Sequence, residues 1–159
     1  MKRITAMVLV CVMVIGLCTG CALFGNKIKL GTSKLSITTE EVYKKGEITS
    51  ADTDESQVGY YYSDDSLVDF DVYQWAKATG ETLDGAASEE AANYGAEIEK
   101  TTINGHDVAY YYAAEESEGE EYDTVTYITE DGDCFVEIVF WLDGEGAEDK
   151  VQEIINTLR

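Results

Sequence analysis

Proline is absent from the chain, so breaks between regular elements have to be read from glycine, asparagine and aspartate. Histidine occurs once, as His106, and cysteine only at Cys11, Cys18, Cys21 and Cys134. Zinc sites need three or four His or Cys ligands, and beyond residue 21 the chain offers only His106 and Cys134, so that chemistry is not expected there. Ser-His-Asp catalysis needs a base held against a nucleophile, and nothing brings a serine to His106, which sits beside a turn. Bases are scarce too: 11 Lys and Arg stand against 32 Asp and Glu, for a net charge of −21. Nucleic acid is thereby excluded as a partner, because phosphate contacts need Lys and Arg. No apolar run reaches the roughly 20 residues that span a bilayer.

What is present begins with a positive Met1-Lys2-Arg3 and an apolar run from Ile4 to Leu17, the order of a secretory signal. Leu17-Cys18-Thr19-Gly20-Cys21 follows. This stretch resembles the lipobox of bacterial lipoproteins of the Firmicutes type, in which small residues precede a cysteine that takes diacylglycerol and becomes the new N-terminus. Thr19 and Gly20 match the cleavage positions and Cys21 the lipidated residue; Leu17 stands one place earlier than usual. The resemblance implies a signal peptide over residues 1–20 and a lipid anchor on the extracytoplasmic face of the cell membrane. Residues 21–34 then read as a lipidated, basic linker, and 35–159 as one domain.

Charge is unevenly spread along the remainder. Lys27, Lys29, Lys34, Lys44 and Lys45 crowd behind Cys21, whereas from Gly46 onward the only bases are Lys77, Lys100, Lys150 and Arg159. The acid body stands off an anionic bilayer; the basic neck is drawn to it by about 1 kcal/mol per nearby Lys. With 45% apolar and 11% aromatic residues the chain has the makings of a packed core.

Periodicity supplies the elements. Leu35–Thr38 and Val58–Tyr62 read as strands, and Thr39-Glu40-Glu41 as the start of a helical turn. In Leu67–Tyr73 the apolar residues Val68, Phe70 and Val72 alternate with Asp69 and Asp71, the mark of a half-buried strand. Leu83, Ala87, Ala91 and Tyr94 fall at helical spacing before Gly95. Asn104-Gly105 and Asp131-Gly132 each centre a hairpin, with Glu115–Glu121 an acidic loop between them. Ala147, Val151, Ile154, Ile155 and Leu158 outline a final helix. Asp133–Trp141 is apolar on both faces apart from Glu137, so it should be central and covered on each side. The class is α+β, an antiparallel sheet with helices packed on its faces. The order of early strands, helix, four-strand meander and last helix resembles the PsbP-like α/β/α sandwich, a fold that carries varied functions.

Few residues invite chemistry. Cys134 reads as a small buried hydrophobe. Asp69 and Asp71 share a strand face, the arrangement from which a glycosidase-like pair is built. Glu130-Asp131-Gly132-Asp133 is rich in the oxygen ligands of calcium but lacks the spacing of a calcium loop. No catalytic residue, metal or cofactor is expected. The tyrosines are the stronger signal: in Tyr60-Tyr61-Tyr62 and Tyr110-Tyr111-Tyr112 the outer two point one way. Tyr60, Tyr62, Tyr110 and Tyr112 are therefore the candidate binding surface, since Tyr anchors interfaces at low entropic cost. The expectation is a non-catalytic binding or accessory module tethered at the membrane, its partner a cell-envelope protein or glycan. A cell-envelope hydrolase using paired carboxylates and a structural or stress-related surface protein are the alternatives.

Overall fold

The computed structural model describes residues 25–48, 56–117 and 120–159; Thr19, Gly20 and Cys21 of the expected anchor lie outside them. Among these residues nine strands and two helices follow in the order β1 (Asn26–Lys29), β2 (Ser36–Thr39), β3 (Lys44–Lys45), β4 (Gln57–Tyr62), β5 (Val68–Ala76), α1 (Leu83–Asn93), β6 (Glu99–Ile103), β7 (His106–Ser117), β8 (Glu120–Asp131), β9 (Cys134–Leu142) and α2 (Ala147–Ile155). Seven of the strands form one antiparallel sheet in the order β3-β4-β5-β9-β8-β7-β6, and β1 and β2 pair separately. The α+β class holds, and β9 is central, with β5 on one side and β8 on the other.

The alternation of β9 decides what lies on each face. Val136, Ile138 and Phe140 join Phe70, Val72, Val125 and Tyr127 in the larger core, which α2 closes through Val151, Ile154 and Ile155. The β1–β2 hairpin completes that cover with Ile28, Leu30, Leu35 and Ile37. On the opposite face Phe135, Ile128, Ala109 and Tyr111 meet Ala86, Ala87 and Ala91 of α1. Alanines let α1 lie close to the sheet, and Thr82 caps it by accepting from the Gly85 N–H.

Three expectations need correction. The stretch 21–34 is not all linker, because β1 pairs with β2 and buries Ile28 and Leu30. A four-residue strand with lysine on both sides of its one buried side chain leaves no period to read. No helical turn starts at Thr39: it ends β2, and Glu40 and Glu41 bend away. The acidic segment after Glu115 is not a loop up to Ser117, since β7 and β8 carry on pairing as far as Ser117 with Glu120.

The two hairpin turns also differ from each other. Asn104 and Gly105 both have positive φ, 50° and 90°, between the paired Ile103 and His106, as a type I′ turn requires. In the second hairpin Asp131 pairs with Cys134, so the central residues are Gly132 and Asp133, and only Gly132 has positive φ. Glycine at the first central position is the type II′ pattern.

Candidate functional site

Cross-strand pairing assigns the tyrosines to faces. Tyr60 pairs with Asp71, Asp71 with Val139, Val139 with Thr126, and Thr126 with Tyr111. One residue along, Tyr61, Phe70, Phe140, Val125 and Tyr112 form the neighbouring row. Paired residues share a face. Tyr60 and Tyr62 therefore lie on the α1 side, whereas Tyr110 and Tyr112 lie on the α2 side. The four do not form one surface. Tyr60 stacks on Tyr62 at 5.6 Å, and Tyr110 stacks on Tyr127 at 5.4 Å; only Tyr112, 45% exposed, stands well into solvent.

Something else gathers on the α1 side. α1 covers only part of this face, and beside it a recess of about 380 Å³ is lined by Ser56, Tyr73, Trp75, Glu90, Tyr94, Glu115, Glu137 and Val139. Tyr73 and Trp75 come from β5, Glu115 from β7, and Glu137 and Val139 from β9. Glu90 belongs to α1, and Tyr94 follows its last turn. Tyr94 is 46% exposed and stacks on buried Tyr111 at 6.0 Å, while Trp75 packs on Phe135 at 5.7 Å. Ring faces are thus held in place from behind.

The electrostatics are those of carboxylates in a half-dry setting. Glu137 is 8% exposed, set into an otherwise apolar strand. Burial pushes the Glu115 carboxyl above the ordinary range, partly offset by a hydrogen bond from Thr124. The Tyr73 phenol is raised by burial first and then by Asp71, Glu137 and Glu115, so it stays neutral at physiological pH. Tyr94 is raised likewise, by burial and then Glu115 and Glu137. The recess offers neutral phenols, an indole and negative charge, the surroundings that attract a cation over ring faces.

Asp69 and Asp71 stand next along the same face. Asp71 is 6% exposed, and both its oxygens are engaged, by Gln57 Nε2 at 2.6 Å and Trp141 Nε1 at 2.7 Å. Asp69 accepts from the Ser63 N–H at 3.1 Å and the Tyr60 hydroxyl at 3.4 Å. Burial raises both. Each Asp71 oxygen thus holds a structural partner, Gln57 or Trp141.

The remaining candidates have structural occupations. Cys134 is half-buried; its thiol donates to the Asp131 carbonyl and accepts from Gln74. Glu130 binds Lys77 and the Leu83 N–H at the start of α1, and Asp131 accepts from the Lys34 N–H at 2.6 Å. Among the described residues no group of three or more His, Cys, Asp or Glu is arranged to hold a metal. His106 lines a wider recess of about 610 Å³ with Thr82, Asp84, Lys100 and Asp107. Of the recess's three carboxylates, Asp84 and Glu130 are in ion pairs with Lys100 and Lys77, and Asp107 accepts from the Thr102 hydroxyl; no Phe, Tyr or Trp lines it.

Comparison with solved structures shows what this architecture is similar to. The solution structure of cyanobacterial PsbP (CyanoP) from Synechocystis superposes with a TM-score of 0.61 at 9% identity, over 86% of this chain and 93% of that one. A crystal structure of a Bacteroides thetaiotaomicron protein gives a TM-score of 0.61 at 21% identity over 86% of this chain. The match spans 48% of the Bacteroides protein, about half its length. The fold is PsbP-like. No protein-family model matches the chain, and no curated protein matches it in sequence.

Proposed function

We propose that the protein is a lipoprotein held by Cys21 on the extracytoplasmic face of a bacterial membrane, where it acts as a non-catalytic binding or accessory module. The binding site is the recess between α1 and the sheet. Its partner is a cell-envelope protein or wall component that presents positive charge. The observation that carries this reading is the placing of Tyr73, Trp75 and Tyr94 around Glu115 and Glu137, ring faces and carboxylates in one concavity. The anchor rests on the signal sequence and on Leu17 to Cys21.

Two experiments test the two halves. Cys21→Ala should release the protein into the medium; unchanged membrane retention overturns the anchor. Titration with lysine-rich probe peptides should change the emission of Trp75, and Tyr94→Ser with Glu115→Gln should weaken the response severalfold. Equal binding by the double variant removes the recess from the account.

A hydrolase of wall glycan or peptide is the second reading, favoured by the raised Glu115 carboxyl beside Glu137. Incubation with wall fragments separates the two: turnover that Glu115→Gln abolishes while binding persists identifies an enzyme.

A further inference from the structure

The folded unit begins closer to Cys21 than a linker of residues 21–34 would allow. Only Ala22, Leu23, Phe24 and Gly25 separate Cys21 from β1, so the first strand starts at most about 18 Å from the lipidated residue, even with the chain fully extended. A domain on so short a tether is held within reach of the headgroups.

The residues around that entry point have a composition of their own. Ile28 points into the core, so Lys27 and Lys29 on either side point out, and both are exposed. Lys27 pairs in register with Thr38, whose hydroxyl accepts from Arg159 Nη2 at 3.3 Å, which brings a third cation to the same outer surface. Lys44, Lys77, Lys100 and Lys150 each have a carboxylate partner; among the described residues Lys27, Lys29, Lys34, Lys45 and Arg159 form no such ion pair, and three of these five gather at this rim. Asn26 Nδ2 donates to the carbonyls of Glu40 and Glu41. Next to Glu41 stands Val42, at 71% the most exposed large apolar side chain of the described residues. Glu40 and Glu153 border the rim, so the cations form a strip rather than a broad field. The seven-stranded sheet separates this rim from α1 and the recess, because β1 and β2 pack in the core on the α2 side.

We propose that this rim, Lys27, Lys29, Val42 and Arg159, docks on an anionic lipid surface and turns the recess away from the membrane. The inference rests on the anchor reading above and deepens it. Held within a Debye length or two of negative headgroups, a strongly acidic body is pushed outward while the unpaired strip is drawn in. The two forces act in opposite directions, and their balance selects the orientation. Val42 sits where an apolar side chain enters the headgroup boundary.

The test uses the lipidated chain reconstituted into vesicles of phosphatidylcholine with phosphatidylglycerol, part of the lipid carrying a headgroup nitroxide. Trp75 and Trp141 both lie on the α1 side, paired with Phe135 and Thr124, and should keep their emission. A tryptophan added by Val42→Trp should lose half or more of its emission, and Lys27→Glu with Lys29→Glu in that background should restore most of it. Quenching of the native tryptophans as strong as that of the added one overturns the orientation. So does an unquenched V42W chain that floats with the vesicles, or quenching indifferent to the charge reversal. A chain that fails to float at all overturns the anchor itself, and this proposal with it. Amide exchange gives a second readout on the unsubstituted chain. On the vesicles it should slow over Asn26–Thr39 and not over α1; the reverse pattern contradicts the docking.

Discussion

Asp71 shows how one side chain ties the polar half of the α1 face together. Its carboxylate holds the Trp141 indole and the Gln57 amide inside the sheet. Asp71→Ala leaves the Trp141 N–H without its acceptor and should cost about 1–3 kcal/mol, measurable by urea unfolding. Burial raises Asp69, Asp71 and Glu115 above their ordinary values, so the folded state binds protons more readily than the unfolded one. The stability they contribute is full below the ordinary carboxylate range and is lost as pH rises through the folded values. The melting temperature should therefore climb as pH falls from neutral toward the aspartate reference of 3.8, and Asp71→Asn should flatten that climb. A melting temperature that only falls over this window contradicts the assignment. Glu137, an acid within an apolar run, was the one sequence signal of the recess. The gathering of Tyr73, Trp75, Tyr94 and Glu115 is not legible in the sequence, because they reach the recess from β5, the end of α1 and β7.

Among the elements, those with a strong local signal were read and those defined by pairing were not. The final helix follows from apolar spacing, and the β6–β7 turn from Asn104-Gly105. Asn104 does more than turn the chain: its Nδ2 donates to the carbonyls of Asn156 and Leu158, just beyond α2. Asn104→Gly keeps the positive φ but drops both bonds, and should cost about 1–2 kcal/mol with the loss concentrated at the C-terminal end; amide exchange over α2 checks it. The Asp131-Gly132 signal leaves the turn's position open by one residue, because glycine at either central position makes a good hairpin and only the Asp131–Cys134 pairing decides. The opposite facing of the tyrosine rows was hidden for a similar reason. Parity within a strand is in the sequence, but parity between β4 and β7 depends on the registers of the strands between them.

At the scale of the molecule, like charge outweighs ion pairing. With 32 acids against 11 bases, pairs such as Lys44–Asp64 and Lys100–Asp84 are exposed and worth about 0–1 kcal/mol each. Added salt weakens those pairs but also screens the larger self-repulsion, so the melting temperature should rise from low to physiological ionic strength; a fall would mean that the pairs dominate. The α+β class and central β9 were legible from composition and alternation. The placement of β1 against the core was not, and it is this placement that brings the domain so near the proposed anchor. Mass spectrometry of the mature N-terminal peptide from native membranes tests the tethered account most directly. It should find Cys21 as the first residue, carrying diacylglycerol; an unmodified Cys21 thiol, or residues retained before it, would contradict the account.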